Sequence, residues 1–395
     1  MAKKLRVMYF TIVTLADGVH SNGGGLYARN NICRLASDDG IELFVVAVND
    51  AAQERGTSEF LKGLGVEYQF LATRPAVPSW GVFRRSMSFD FEQLAAGQGH
   101  IATEAAAAIK HWGIDCVVVD YLFATLFWRR LLSLPIAKAI VSCNREADFF
   151  AERMATNAKS RISLIDRLAH WRLARYERRV YHAFSKVIVI GKPDRPTYLS
   201  AEKTSCITPY LDDQQNRWRG ESSRELLFVG GIGHHPNRLA VDYLATKIVP
   251  RLASRVQDCK LVIVGASTDD VPEAWRHPAI RYLGASNRES VDALFQNCRL
   301  LVCPVKNTFG MKFKIAEALS YGMPFLASPE SQLCVPYLAN QPVISLEDPG
   351  LAVDIIERYL RSDADLKCLA AEANRKHQEF ISSQKNVWSR TLFGS

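Results

Sequence analysis

The sequence predicts an α/β protein built from two Rossmann-like, doubly wound parallel-sheet domains. Three observations carry this expectation. Apolar, strand-like runs alternate with helical stretches from Leu5 to Ile190, and a second alternation begins at Leu226. Between them, residues 195–223 are polar and irregular, with no long apolar periodicity, and hold the expected interdomain connection. The chain has 395 residues, more than one hydrophobic core usually supports.

In the first half, Leu5 to Val13 reads as a strand. Gly23-Gly24-Gly25 then opens a helix to about Ser37, and Glu42 to Val48 is the next strand. A short helix at Glu59 to Leu64 and a strand at Val66 to Leu71 follow. An Ala-rich helix from about Phe91 to Trp112 stops at Gly113, as a glycine C-cap would stop it. Strands at Asp115 to Val119 and Ala137 to Val141 come next, then a basic helical stretch from Arg161 to Phe184 and a strand at Lys186 to Ile190. In the second half, a strand at Leu226 to Gly230 leads to a helix over Asn237 to Leu252. Strands at Lys260 to Val264 and Ile280 to Leu283, a helix at Arg288 to Cys298, a strand at Leu300 to Val305 and a last helix at Asp363 to Phe380 complete it. The expected domains are residues 1–200 and 201–380, with 381–395 as a tail.

Hydrophobic residues make up 48% and charged ones 23%, the balance of a soluble globular protein, and no run approaches the roughly 18 apolar residues of a membrane span. The apolar start is too short for a signal peptide and soon meets Asp17 and His20, so it reads as a buried strand. Nine scattered cysteines without a Cys-x-x-Cys suit reduced thiols in the cytoplasm rather than disulfides or a zinc site. The net charge is +8, and its excess gathers between Arg153 and Arg195. Such a face suits an anionic membrane surface, a diphosphate acceptor or plain solvent. No recognition motif for nucleic acid accompanies it, so no nucleic-acid partner is expected. Trp80, Phe83, Arg84, Arg85, Met87 and Phe89 form a second aromatic and basic stretch, suited to a bilayer interface or a lipid-linked acceptor.

The most informative stretch runs from Phe309 to Pro324. Gly310-Met311-Lys312-Phe313-Lys314 opens a short helix that ends at Gly322-Met323-Pro324, and Glu317 lies inside it. Two cations at a helix N-terminus suit a diphosphate, because free N–H groups and the macrodipole add to their charge. A carboxylate one to two turns on suits the hydroxyls of a ribose. Together they point to a nucleotide-linked ligand.

This segment resembles the donor site of retaining glycosyltransferases of the two-Rossmann (GT-B) architecture, above all family 4, whose two domains face a cleft. That family carries a Glu-x7-Glu pattern, and its second glutamate, which holds the donor ribose, matches Glu317. The first would fall at Phe309. The chain instead resembles the Gly-Met-Arg/Lys-x-Lys-x-x-Glu-Ala variant of some bacterial polysaccharide transferases. Gly230-Gly231-Ile232-Gly233-His234-His235-Pro236-Asn237 is similar to the Pro-Asn loop of the same enzymes, with Asn237 placed to cap a helix. In those relatives the loop often lacks the basic residues used elsewhere on the diphosphate, which leaves that charge to Lys312 and Lys314. Ser142-Cys143-Asn144-Arg145-Glu146 resembles a His-Asn-x-Glu motif with Cys143 in place of the histidine.

The resemblance implies transfer of a sugar, with retention, from a nucleotide-sugar donor to a glycan or lipid-linked acceptor in bacterial surface polysaccharide or glycoconjugate synthesis. The expected donor-binding residues are Gly23, Gly24, Gly25, Gly231, His234, Asn237, Gly310, Met311, Lys312, Lys314 and Glu317. Asn144, Glu146 and Asp120 are the expected catalytic residues. Glu146 also fits a capping or salt-bridged carboxylate, and Arg29 faces either the cleft or solvent. No metal and no cofactor beyond the co-substrate are expected: adjacent histidines rarely converge on one ion, and Asp363-Ala364-Asp365 reads as a helix cap. The expected location is the cytoplasm, with a peripheral contact on the inner face of its membrane. Two rivals remain: a partner subunit that binds a nucleotide sugar without turnover, motivated by Cys143 and Phe309, and a nucleotide-sugar epimerase of the same fold.

Overall fold

A computed structural model describes residues 3–16, 23–74, 95, 98–156, 164–211, 217–306 and 310–394. Asp17, His20, the Trp80 to Phe89 stretch, the expected helix start at Phe91, Arg161 and Phe309 lie outside the described residues. The chain divides into two compact units. One runs from the first strand to Ile207 and resumes at Asn386; the other is Thr208–Lys385.

The first unit is a seven-stranded sheet of β1 (Leu5–Thr11), β2 (Ile41–Asn49), β3 (Glu67–Ala72), β4 (Cys116–Asp120), β5 (Ala137–Ser142), β6 (Lys186–Val189) and β7 (Thr204–Cys206). Their order is β3-β2-β1-β4-β5-β6-β7, and every pair is parallel. The second unit holds β8 (Glu225–Val229), β9 (Lys260–Val264), β10 (Ile280–Tyr282), β11 (Leu300–Cys303) and β12 (Phe325–Ala327) in the order β10-β9-β8-β11-β12, again all parallel. Each sheet thus starts at its centre and winds outward both ways. That places a topological switch point between β1 and β4 in one unit and between β8 and β11 in the other, where ligands bind in such sheets. The central strands are continuous apolar runs, such as Val117-Val118-Val119, because helices cover both faces.

Three differences from the sequence reading have physical causes. The stretch 195–223 hides β7, a three-residue edge strand too short to show periodicity. The second-unit helix starts at His235 with His234 as N-cap, so Asn237 lies inside the first turn and does not cap it; a π turn at Leu244–Ile248 then separates it from the Val249–Arg255 helix. Asp363 and Asp365 sit in the first turn of the Asp363–Ser383 helix, whose cap is Ser362; they pair with Arg299 (2.7 Å) and Arg358 (2.8 Å). The Val387–Phe393 helix docks on the first unit: Trp388 is fully buried, and the Ser389 N–H donates to Asp38 Oδ2 at 2.9 Å. Among the described residues no helix is long and apolar enough to cross a membrane.

Within the second unit, His377 is fully buried beside Tyr337, whose hydroxyl meets Nδ1 at 2.9 Å and whose ring stacks on Phe380 at 4.1 Å. Burial lowers the imidazole to about 4. The folded state keeps it neutral while the unfolded chain protonates it near its ordinary value of about 6.5. Its stabilisation is therefore full above that pH and is lost as pH falls. Between pH 7 and 5 the wild type should lose about 2 kcal/mol more unfolding free energy than His377→Gln, measured by urea titration at both pH values.

Candidate functional site

In the second unit the switch point is assembled by register. The β8–β9 pairing sets Val229 against Val264, which brings Gly230 and Gly231 onto Gly265. The Gly230 N–H donates to Val264 O (2.9 Å) and the Ile232 N–H to Gly265 O (3.2 Å). Gly265 has a φ of +99°, and a Cβ there would lie 2.6 Å from Gly230 C and Gly231 N, both backbone atoms. Gly230, at φ +151°, faces the other way: a Cβ would lie 2.6 Å from Asn237 Nδ2 and 2.9 Å from Lys314 Nζ. Only glycine at both positions lets the loop lie flat beneath these two side chains.

The helix after β11, Phe313–Tyr321, is buried along its whole length and ends at Gly322 in the left-handed conformation (φ +73°). Gly310 precedes it at φ +68° and is buried, while Met311 is half-buried against the core. Lys312, Lys314 and Glu317 are only 8%, 9% and 6% exposed, so none is an ordinary surface charge. Lys314 Nζ donates to Asn237 Oδ1 at 2.8 Å and lies 4.1 Å from the Phe228 ring centroid. Asn237 Nδ2 in turn donates to Gly231 O at 3.1 Å. Lys312 Nζ donates to Gly310 O at 3.2 Å. Among the described residues no carboxylate comes within ion-pair distance of Lys314, and burial, aided by Lys312, lowers its ammonium to about 8. Glu317 Oε1 accepts from Arg288 Nη1 at 2.5 Å, and Arg288 Nε also pairs with Asp292 at 2.6 Å. Burial raises the Glu317 carboxyl while Arg288 pulls it back. The structure thus brings Gly231, Asn237, Lys312, Lys314 and Glu317 to one edge of the sheet. His234 caps the adjacent helix by its backbone, and its side chain is exposed.

In the first unit the β1–β4 register sets Thr11 against Asp120, and Thr11 Oγ1 donates to Asp120 Oδ2 at 3.0 Å. Asp120 is fully buried, and its Oδ1 finds no partner among the described residues. Burial raises this carboxyl to about 7 against the hydrogen bonds from Thr11 and Tyr9. Tyr121 follows at φ +78°, a rare conformation for a side-chain-bearing residue, at the strand end. One strand over, Ser142 Oγ donates to Asn144 O at 2.8 Å and shapes the turn into the Glu146–Thr156 helix. Glu146 is 7% exposed, has no salt bridge among the described residues, and leaves Oε1 unpartnered. Burial, then Glu177, raise it to about 8, while a hydrogen bond from the Asn144 side chain opposes them. The Cys143 thiol is driven up by burial and by Asp120 and Glu146, so it stays protonated and is no nucleophile. Gly23, Gly24 and Gly25 form the first turn of the Gly23–Ala36 helix that follows β1; Gly23 is exposed and Gly25 buried. Arg29 packs its guanidinium on the Phe60 ring at 4.0 Å and donates to Leu15 O at 2.7 Å. Among the described residues no group of three His, Cys, Asp or Glu side chains could hold a metal ion.

Sequence reasoning missed Gly265, Arg288 and Thr11. Gly265 stands at a strand end, a position that a parallel-sheet reading could have singled out. Arg288 and Thr11 give no local signal, since each acts through a partner distant in sequence.

With this geometry in view, comparison with known proteins is informative. Residues 223–361 match the model of the family described as Glycosyl transferases group 1, so the second unit carries a domain of that kind. No curated protein matches the sequence. Among solved structures, the chain is similar to a sucrose-phosphate synthase from Thermosynechococcus elongatus, with a TM-score of 0.70 at 14% identity over 99% of this chain and 100% of that one. A glycosyltransferase from Rickettsia africae gives 0.59 at 10% identity over 98% and 96%. The UDP-GlcNAc 2-epimerase from Neisseria meningitidis, solved bound to UDP-GlcNAc, gives 0.51 at 8% identity over 96% and 100%. At such identities these likenesses establish the fold, which is the GT-B architecture of two Rossmann-like domains.

Gly265→Ala should force the Gly230–Gly231 loop away from β9. It is expected to destabilise the protein by about 1–3 kcal/mol and to lower the melting temperature accordingly. Gly231→Ala, whose added Cβ would find only Gly265 O at 3.9 Å, should leave stability nearly unchanged by the same measurement.

Proposed function

We propose that the protein is a glycosyltransferase that binds a nucleotide-sugar donor in its second unit and transfers the sugar, with retention, to a glycan or lipid-linked acceptor. The observation that carries this reading is the buried Lys314 ammonium, at the N-terminal turn of a helix on a sheet switch point, with no ion pair of its own among the described residues: the nearby Glu317 is bonded to Arg288. A buried charge without a counter-charge is costly. A donor diphosphate supplies that counter-charge, and the helix N–H groups add to it. Glu317, held by Arg288, then receives the ribose hydroxyls. This arrangement is metal-independent, because Lys312 and Lys314 provide the positive charge.

Retention is what the resemblance of the donor motif implies, and the first-unit carboxyls are compatible with it. With Asp120 raised to about 7 and Glu146 to about 8, Glu146 is mostly protonated at neutral pH and Asp120 about half so. They serve, with Asn144, as hydrogen-bonding groups for sugar or acceptor hydroxyls. The bond from the anomeric carbon to the diphosphate oxygen breaks as the bond to the acceptor oxygen forms on the same face. The acceptor proton passes to the departing phosphate, whose growing charge the lysines and helix N–H groups stabilise. A cytoplasmic role in bacterial surface polysaccharide or glycoconjugate synthesis accords with the Gly-Met-Lys-x-Lys-x-x-Glu-Ala motif.

Thermal shift with UDP-, GDP-, ADP- and CMP-sugars tests the site. One donor should raise the melting temperature, by about 2.7 kcal/mol of stabilisation at a hundredfold excess over Kd. Glu317→Gln, which keeps the shape of the side chain, should abolish most of that shift. No shift with any donor would sink the proposal. Conversion of the donor without acceptor would point to an epimerase instead.

The charge on Lys314 gives a second test. Its ammonium is lowered to about 8 in the free protein, and only the protonated form attracts the diphosphate. Donor affinity measured by calorimetry should therefore fall above pH 8, approaching about tenfold per pH unit. Lys314→Met should bind more weakly and show a flat profile from pH 7 to 9.

A further inference from the structure

The helix Leu164–Ala183 packs on the first unit through Leu173, Glu177, Val180 and Tyr181. Its opposite face is unusual. Among the described residues seven large apolar side chains are exposed, and four of them stand within eight residues of this helix: Leu164 (83%), Ile165 (41%), Leu168 (38%) and Trp171 (56%). Leu164, Leu168 and Trp171 follow the spacing i, i+4, i+7 and so form one stripe. The stripe continues with Arg175, Arg178, Arg179 and His182, all exposed. The outward face is therefore mainly apolar in its first two turns, interrupted by the exposed Arg167, and basic beyond them. Trp171 marks the border, with the Arg175 guanidinium 5.7 Å from its ring centroid.

The charges on this face meet rings rather than acids: Arg178 lies 5.3 Å from the Tyr198 ring centroid, as Arg175 lies beside Trp171. Among the described residues no carboxylate lies within ion-pair distance of Arg167, Arg175, Arg178 or Arg179. Glu177, the acid inside the basic run, is buried and turned inward, where it accepts from the Ala147 N–H (3.1 Å) and the Tyr198 hydroxyl (3.1 Å). Among the described residues the leucines and tryptophan thus have no apolar cover, and the arginines no counter-charge.

We propose that this face docks on an anionic lipid bilayer. Leu164, Leu168 and Trp171 cover about 10 Å of the helix's length on one side, an apolar face of the kind that a helix lying in the interface plane buries at the headgroup and acyl boundary. Trp171 sits where the apolar part meets the basic part, the level at which an amphipathic ring is stable in a membrane interface. The arginines that follow meet the lipid phosphates, and each adds electrostatic attraction that falls away within a Debye length. A soluble acidic protein would satisfy the arginines but gives no reason for the two leading turns of exposed leucine. The inference does not depend on the donor site, and its test contains neither donor nor acceptor.

The test is co-sedimentation of the full chain with phosphatidylcholine vesicles, with and without phosphatidylglycerol. Binding should appear with phosphatidylglycerol and weaken on addition of salt. Leu168→Ser combined with Trp171→Ser should lower vesicle affinity by about tenfold or more. Arg175→Glu combined with Arg179→Glu should remove the preference for phosphatidylglycerol. Unchanged melting temperatures show that both variants remain folded. Failure of the wild type to sediment with anionic vesicles overturns the proposal, as does equal sedimentation by the variants. Concentration-dependent dimerisation that Trp171→Ser abolishes, without vesicle binding, would assign the face to a second copy of the chain and also overturns it.

Discussion

The candidate donor site hangs on one buried ammonium. Lys314 is held at 2.8 Å by Asn237 and at 4.1 Å by the Phe228 ring, in a place where burial alone would strip its proton at mildly basic pH. Several otherwise unrelated features exist to accommodate it. Gly230 must lack a side chain, or its Cβ would strike both Lys314 and Asn237. Gly265 must lack one so that the Gly230–Gly231 loop can settle against β9. Asn237 leaves its expected capping role because its amide is committed at both ends, donating to Gly231 O and accepting from Lys314. A ring face and an amide oxygen stabilise a cation less than a carboxylate would, which leaves the ammonium with charge to offer a ligand.

Glu317 shows the complementary arrangement. It is as buried as Lys314 but is answered by Arg288, which is itself braced by Asp292. The unit therefore buries one acid that is neutralised and one cation that is not, side by side on the same helix. An anion is attracted to the second without being repelled by the first. The first still offers Oε2, which makes no hydrogen bond among the described residues, to a neutral hydroxyl. The charge state of this helix thus suits the proposed ligand, anionic at one end and hydroxylated at the other.

Much of this was legible in the sequence, and the limits are physical. The alternation of apolar runs and helices is strong in parallel sheets because the central strands are buried on both faces, so β1, β2, β4, β5, β8 and β9 were evident. The helix with Lys312, Lys314 and Glu317 was evident too, since its glycine and proline stops bound it on the C-terminal side. The edge strand β7 is not legible because three residues, one buried and two half-buried, carry no period. The helices at Glu146–Thr156 and Pro349–Arg361 lie outside the elements that the sequence predicts. Arg288 was invisible because its partner Glu317 lies on another helix; Gly265 is visible as a strand-end glycine, but its contact, like that of Thr11, is not. Their roles come from register, from β1 lying beside β4 and β8 beside β9, and register is set by the packed sheet rather than by neighbours along the chain.

The departures from the resembled family carry a mechanistic consequence. Cys143 stands where relatives have a histidine, and its thiol is kept neutral by burial and by two nearby carboxyls. Those carboxyls, Asp120 and Glu146, are themselves driven toward their neutral forms, and each keeps one buried oxygen without a partner. A histidine in that place would bring a titratable nitrogen, and when protonated it would pull both carboxyls back toward ionisation. The thiol does not. Substituting cysteine thus changes the first-unit edge from a cation-and-carboxylate cluster to one of neutral hydrogen-bonding groups. Under the proposed function such an edge offers hydrogen bonds to hydroxyls rather than a fixed pair of charged carboxylates. If the chain turns over, the chemical work of the reaction falls on the diphosphate and on the lysines that hold it.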